Sequence, residues 1–126
     1  MKEVVAIIRM NKINDTKRAL AAAGISSLHA KECLGRGKGV VDFKALAGAE
    51  KGYEEAIAQL GQSQRLVPKR MISMVIPDKL VSIVVQAVIK ANMTGKSGDG
   101  KIFVLPMLDA LRVRTGEDGE SVLDEA

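Results

Sequence analysis

The fold is decided by the stretch EVVAIIR at residues 3–9 and by its counterpart RMISMVIP at residues 70–77. Both are short apolar runs rich in β-branched residues, which favours buried strands. Each is followed by a helical pattern and then by another strand, the first ending at about Leu34 and the second spanning KIFVL at 101–105. Two β-α-β units with right-handed crossovers predict a ferredoxin-like α+β fold: an antiparallel four-stranded sheet with both helices on one face.

The two predicted helices carry their own start and stop signals. Asn11 or Asn14 is expected to cap the first helix, and Gly24 to end it in a left-handed conformation. Asp78, after Pro77, is expected to cap the second helix. The apolar positions of the first helix are Ile13, Thr16, Leu20 and Ala23. Those of the second are Leu80, Val84, Ala87, Val88 and Ala91, widened by Val81, Val85 and Ile89 so that it is covered on more than one side.

The two units are joined by an unusually long connection, residues 36 to 69, where compact domains generally use about four to six residues. Within it Tyr53, Ile57 and Leu60 recur at the spacing of a short amphipathic helix. The segment is therefore either a solvated loop with one passing helical turn, or a partner-binding loop that uses these three side chains as anchors.

Composition limits the class of protein. A chain of 126 residues makes one domain, and a separate catalytic domain is excluded. Residues 1–116 hold 19 basic against 10 acidic side chains, whereas the last ten residues are acidic, so the body is expected to attract anions. With only Tyr53, Phe43 and Phe103 as aromatic residues, base stacking on a row of rings is disfavoured, and we expect no nucleic-acid partner.

Cysteine, histidine and hydropathy exclude further classes. Cys33 alone forms no internal disulfide, and with one histidine the chain has no cluster of soft ligands for a metal. No apolar run reaches the roughly 18 residues of a membrane span, and Glu3 and Arg9 interrupt the apolar core that a signal peptide needs. These features predict a cytoplasmic protein without membrane insertion.

The most informative motif is TGKSGDGK at 94–101. It formally satisfies G-x-x-x-x-G-K, but Ile102 stands where a P-loop has Ser or Thr, and the segment leads from a helix into a strand. Gly95, Gly98 and Gly100 still allow backbone N–H groups to converge on an anion, with charge from Lys96 and Lys101. The alternative is a plain helix-to-strand turn.

Two further glycine-rich elements carry basic groups. LGRGKG at 34–39 holds Arg36 and Lys38, and RVRTGE at 112–117 is expected to present Arg112 and Arg114 on one face of an extended segment. Three such elements at the ends of one sheet suit a polyphosphate, since a micromolar ligand needs only four or five charge-assisted contacts. Scattered carboxylates, a histidine without an acid partner and the lack of a nucleophile motif predict a binding protein and not an enzyme.

Taken together, EVVAIIR, VPK at 67–69, MVIPD at 74–78, TGKSGDGKIFV at 94–104 and RVRTGE resemble the PII nitrogen-regulatory signalling proteins over nearly the whole chain. The resemblance implies a trimer with ATP or ADP in each cleft between subunits, Mg²⁺ bound through the ATP phosphates, and 2-oxoglutarate as second effector. It divides the chain into a PII-like domain at 1–116, with a target-docking T-loop at about 36–68, and an acidic tail at 117–126.

The resemblance also assigns residues to these ligands. One wall of the nucleotide site is carried over to Ile7, His29, Gly35, Arg36, Gly37, Lys38 and Val75. The phosphate loop is carried over to Gly98, Asp99, Gly100 and Lys101, and the neighbouring subunit supplies Arg112 and Arg114. For 2-oxoglutarate the residues are Lys69, Gly37, Lys38 and Gly39. Many members have a threonine where His29 stands, and the alternative is that His29 is a surface residue.

Besides His29, the chain departs from most PII proteins at two further places. Gly39 lies near the position of a glutamine that helps to hold magnesium and 2-oxoglutarate. The T-loop is long, and Lys51 follows GAE at 48–50, which argues against uridylylation. The GRGKG loop base and FKALAGAE are similar to the second of two PII paralogues encoded beside nitrogenase genes. This implies inhibition of the dinitrogenase component and assembly as a homotrimer or with the sister paralogue.

Three other functions stay open at this point. The first is an ordinary PII regulator of an ammonium transporter or glutamine synthetase. The second is a small enzyme on the same fold, such as an acylphosphatase-like hydrolase. The third, suggested by the basic body, is DNA binding with a steep salt dependence.

Overall fold

The computed structural model describes residues 1–36 and 66–123, and its architecture confirms the ferredoxin-like α+β prediction. The strands are β1 Lys2–Arg9, β2 His29–Gly35, β3 Val67–Ile76 and β4 Lys101–Pro106, and the helices are α1 Ile13–Ala22 and α2 Val81–Asn92. Within these described residues, three 3₁₀ turns lie at Met10–Lys12, Asp78–Leu80 and Glu120–Val122. The strand order is β2-β3-β1-β4, and β1 runs antiparallel to both β3 and β4.

The sheet has one covered face and one open face, as the period of two along β1 requires. Alternate residues of the two central strands are buried toward the helices, and the core consists of Val4, Ala6, Ile8, Leu20, Ile25, Ile72, Met74, Ile76, Val84 and Val88. The intervening residues, among them Val5 and Ile7 of β1, lie half-buried on the other face. Among the described residues, Val122 and Leu123 line a pocket with Ser73 and Val75 at one end of this face, and the predicted assembly would bury the remainder.

The predicted helix caps are wrong at three positions. The chain leaves β1 through the turn Met10–Lys12, so Lys12 precedes α1 and neither Asn11 nor Asn14 makes a capping bond. Asp78 lies inside the 3₁₀ turn that leads into α2, and its carboxylate binds the Met1 amino group at 3.0 Å instead. Gly24 does end the first helix as predicted, with a φ of 89°.

Other differences concern element ends and burial. β3 begins at Val67, three residues before the predicted start. Val81 and Ala87 pack against the core, but Ile89 remains 36% exposed, so the predicted covering of α2 is only partial within the protomer.

The chain divides into two compact units, residues 1–33 with 69–126, and residues 34–68. Most of the second unit lies outside the described residues. The predicted partner-binding residues Tyr53, Ile57 and Leu60 fall there, as do Gly37, Lys38 and Gly39. Of the second unit, the structure describes Leu34–Arg36 and Leu66–Pro68, in which Gly35 ends β2 and Arg36 is exposed.

Candidate functional site

The turn between α2 and β4 is built on glycines at positive φ. Gly95, Gly98 and Gly100 have φ angles of 82°, 97° and 115°, a region that other residues rarely adopt. Gly100 also needs the space, because a Cβ atom there would lie 2.0 Å from the carbonyl oxygen of Ile7. The turn, Thr94–Gly100, is therefore pressed against the end of β1 as a backbone-lined surface.

Asp99 holds this turn together from inside. Its carboxylate accepts hydrogen bonds from the Thr94 N–H at 2.8 Å, the Gly95 N–H at 3.0 Å and the Thr94 hydroxyl, and it pairs with Nη1 of Arg9 at 2.6 Å. The bonds from Thr94 are the main reason that the pKa of Asp99 lies well below its ordinary value, and Arg9 adds to them. The Gly95 amide, predicted to face an external anion, is thus bound to a carboxylate of the turn itself.

Two cations bind the carbonyl groups of the same turn. Nη2 of Arg9 donates to the Ser97 carbonyl at 2.9 Å, and Nζ of Lys69 donates to the Gly98 carbonyl at 3.1 Å. Arg9 and Lys69 are neighbours because they are paired in the β1–β3 register. With exposed Lys96 and Lys101 close by in sequence, the region holds four cations around one carboxylate, an arrangement that attracts anions.

The predicted nucleotide residues on the sheet fall into two groups. Ile7 is paired with Lys101 and so lies at the glycine turn, together with Gly98, Asp99 and Gly100. His29 and Val75 lie at the opposite end, where they line a pocket of 120 Å³. Val75 pairs with Glu3, four residues from Ile7 along β1, which separates the two groups by about 13 Å at the usual rise per strand residue.

The predicted extended segment at RVRTGE is instead a tight turn. The Gly116 N–H donates to the Arg112 carbonyl at 2.7 Å, and the Arg112 N–H donates to the Glu117 carbonyl at 2.8 Å. The Arg112 guanidinium lies 3.3 Å from the Glu117 carboxylate, and Arg114 is exposed. Within the described residues no hydrogen bond or ion pair joins either arginine to the glycine turn, so their predicted role across a subunit boundary stays a prediction.

Sequence reasoning missed Arg9, the residue that connects β1 to the turn through both Asp99 and Ser97. Its only sequence signal is a basic residue at the end of an otherwise apolar strand. Its partner follows from the antiparallel register: Ile7 pairs with Lys101, so Arg9, two residues after Ile7, comes opposite Asp99, two residues before Lys101.

The described residues contain neither a group of metal-ligating side chains nor a helix that could span a membrane. Across residues 1–36 and 66–123, no three His, Cys, Asp or Glu side chains are grouped in a way that could hold a metal ion. Neither of the helices in this part of the chain is long and apolar enough to cross a membrane.

Comparison with known proteins gives consistent matches over the full length. The family model described as "Nitrogen regulatory protein P-II" matches residues 1–117. A protein of Methanobacterium ivanovii named "Nitrogen fixation nifHD region GlnB-like protein 2" is 50% identical, covering 98% of this chain and 99% of its own. A protein of the same name from Methanothermococcus thermolithotrophicus is 45% identical, covering 95% and 96%. The "Nitrogen regulatory protein P-II" of Cereibacter sphaeroides is 37% identical, covering 98% and 100%. These matches confirm the resemblance found in the sequence, including its nitrogen-fixation subgroup.

Proposed function

Because the chain belongs to the P-II family of nitrogen regulatory proteins, we propose that it senses ATP or ADP together with 2-oxoglutarate and inhibits nitrogenase by binding the dinitrogenase component. In this proposal the protein is a regulator and not an enzyme. The observation that carries it is the cationic glycine turn, in which Arg9, Lys69 and Asp99 fix the backbone around the positive charge of Lys101.

The geometry suits a nucleoside polyphosphate. Because the glycines lack side chains, a ligand can approach their backbone N–H groups. At Gly98 the backbone also lies close to a cation, since a Cβ atom there would be 3.3 Å from the Arg9 guanidinium. The distance of about 13 Å from this turn to the His29–Val75 pocket leaves room for a base at one end and phosphates at the other. Arg112 and Arg114 of a neighbouring protomer would complete the phosphate site in a trimer of identical or sister subunits.

In this proposal, 2-oxoglutarate and Mg²⁺ bind at the same end of the sheet as the glycine turn. Lys69 is available to a 2-oxoglutarate carboxylate if its ammonium group leaves the Gly98 carbonyl, which would link effector binding to the phosphate loop. The Asp99 carboxylate is occupied by Thr94, Gly95 and Arg9, so Mg²⁺ would be held through the ATP phosphates. Gly37, Lys38 and Gly39, the other assigned residues, lie outside the described part of the chain.

The nucleotide proposal is tested by calorimetry with ATP on the Lys101→Ala variant. Loss of one charge-assisted contact worth about 1.5–3 kcal/mol should weaken binding some ten- to a hundredfold. Lys79→Ala, which removes an exposed cation from the turn before α2, is the matched control and should bind ATP like the parent protein. An unchanged ATP affinity in Lys101→Ala contradicts the proposal.

The nitrogenase proposal is supported by the relatives' names, which place them in a nitrogen fixation nifHD region. It is tested by deleting residues 42–62 of the predicted T-loop. The deletion should spare ATP binding but abolish inhibition of purified nitrogenase, and inhibition that persists would show that another surface binds the target.

The alternative target is an ammonium transporter or glutamine synthetase, as for an ordinary P-II regulator. It is favoured by the 37% identity to a relative named simply as a nitrogen regulatory protein. A pull-down that offers dinitrogenase and the transporter to the same tagged protein separates the two targets. Retention of the transporter alone would replace the nitrogenase proposal.

A further inference from the structure

The C-terminal 3₁₀ turn lies against the end of the sheet where His29 and Val75 of the predicted nucleotide site are found. Val122 and Leu123 line the same 120 Å³ pocket as His29, Ser73 and Val75. We infer that this segment, Gly119–Leu123, forms the second wall of the base pocket, and that Val122 and Leu123 are ring-contacting residues. The inference rests on the proposed nucleotide function and extends it to residues that neither the motifs nor the family resemblance singled out.

The size of the pocket fits one ring system. Cavities that enclose a whole drug-sized ligand measure about 300–1,000 Å³, whereas one of about 150 Å³ accepts a benzene ring. At 120 Å³ the pocket belongs with the second kind. A ligand would therefore insert a flat ring between Val75 on the sheet and Leu123 on the turn.

The Ser73 hydroxyl, which lines the pocket together with the polar residues Ser27 and His29, favours a ring that carries an amino substituent. The Ser73 hydroxyl donates its hydrogen to Oε2 of Glu3 at 2.7 Å, so the Ser73 oxygen is left as an acceptor. An exocyclic amino group can donate to that oxygen. A carbonyl oxygen at the same place would meet only lone pairs, so an aminopurine is preferred over an oxopurine.

The turn is held in place by several bonds. The Gly119 N–H donates to the Ala110 carbonyl at 3.0 Å, and an isolated bridge joins Leu111 to Asp118. Glu120 lies 3.7 Å from the Met1 amino group, which ties the turn to the start of β1. These contacts anchor the start of the segment, at Gly119 and Glu120, to the rest of the protomer beside the pocket.

The test compares two ligands that share the phosphates but not the base. Affinities for ATP and for inorganic tripolyphosphate are measured by calorimetry on the intact chain, on a chain ending at Gly119, and on Leu123→Ser. Loss of the apolar wall should weaken ATP binding about tenfold in the truncated chain and several-fold in Leu123→Ser. Tripolyphosphate affinity should stay unchanged in both. Ile83→Ser removes an apolar residue that is 50% exposed on α2, on the other side of the sheet from the pocket, and serves as the matched control.

Each of the other outcomes contradicts the inference that Gly119–Leu123 forms a wall of the base pocket. Tighter ATP binding after truncation would mean that the segment blocks the pocket. An equal loss of both ligands would mean that it supports the fold and contacts no base. Unchanged ATP affinity overturns the wall while leaving the nucleotide function intact, whereas an intact chain that binds no ATP overturns both.

Discussion

In the proposed nucleotide site, Asp99 fixes the shape of the binding loop without facing the ligand. Its carboxylate is surrounded by donors from Thr94, Gly95 and Arg9, which keep it ionised and turn the loop around it. The ionised form is favoured in the folded protein, so the pKa of Asp99 is lowered relative to the unfolded chain. Its role is therefore to hold the shape of the turn Thr94–Gly100, and in the proposed nucleotide site its effect on ligands is indirect.

The Asp99→Asn variant should reveal this role through pH. The stabilisation from ionised Asp99 is fully present above the unfolded carboxyl pKa of about 3.9 and is lost as pH falls through the lower folded pKa. The parent protein should therefore lose more thermal stability than Asp99→Asn between pH 6 and pH 3, with melting followed by circular dichroism. Asp15→Asn, on the exposed surface of α1, is the control. Parallel melting curves for Asp99→Asn and the parent would contradict the prediction.

Gly100 should tolerate no side chain at all. In Gly100→Ala the new Cβ would fall 2.0 Å from the Ile7 carbonyl oxygen, so β1 and the turn must separate. Gly95→Ala has a comparable positive φ but nothing within 4 Å, and so isolates the conformational strain of about 1–2 kcal/mol. Gly100→Ala should be clearly less stable in urea than Gly95→Ala and should lose ATP binding. Equal unfolding free energies for the two variants would rule out the close approach as the cause.

At this scale the sequence predicts residue types better than their partners. Gly98, Gly100 and Lys101 could be singled out because closely spaced glycines beside lysines are typical of anion-binding loops. Arg9 could not, because its role depends on a register that brings it opposite Asp99 from ninety residues away. The Gly95 amide was misjudged for a related reason, since only the folded turn shows that Asp99 occupies it.

The strands and helices were predictable because the apolar residues repeat with the period of a strand or of a helix in the segments that form them. Alternation along EVVAIIR marks Val4, Ala6 and Ile8 as the buried face, and the helical spacing of α2 marks Val84 and Val88. The entry to each helix was not predictable. A 3₁₀ turn precedes both α1 and α2, so the residues that a simple strand-to-helix junction would use as caps lie outside the capping position.

The contact between the two helices offers a test at the level of elements. Nδ2 of buried Asn92 donates to Oγ1 of Thr16 at 2.9 Å, and Thr16 in turn donates to the Lys12 carbonyl at 2.7 Å. Thr16→Val removes the acceptor and leaves a buried amide donor with only the Val88 carbonyl, which should cost about 1–3 kcal/mol. The double variant Thr16→Val/Asn92→Leu should recover part of that loss. Additive unfolding free energies in denaturant would show that the two side chains do not act together.

At the scale of the whole molecule, the open face of the sheet carries apolar side chains that the single chain leaves exposed. Phe103 and Leu105 of β4 are 48% and 41% exposed, and the segment beyond β4 adds Leu108 and Val113, which are almost fully exposed. Large apolar side chains exposed in this number favour an interface with another protein chain. The proposed trimer would bury them and would bring the Arg112–Glu117 turn of one protomer to the glycine turn of another, which the single chain does not do.

Phe103→Asp should therefore prevent assembly. Phe103 pairs with Val5 on the open face, and a carboxylate placed there would be buried without a partner in any oligomer that covers this face. Ile83→Asp is the matched control, because Ile83 is 50% exposed but lies on α2, on the other side of the sheet. Sedimentation velocity should show a monomer for Phe103→Asp and a trimer for Ile83→Asp.

ATP binding should fall only in the first variant, since a monomer lacks the arginines of its neighbour. A Phe103→Asp protein that remains trimeric would show that assembly uses a different surface, and one that is monomeric but binds ATP normally would place the whole nucleotide site within a single protomer.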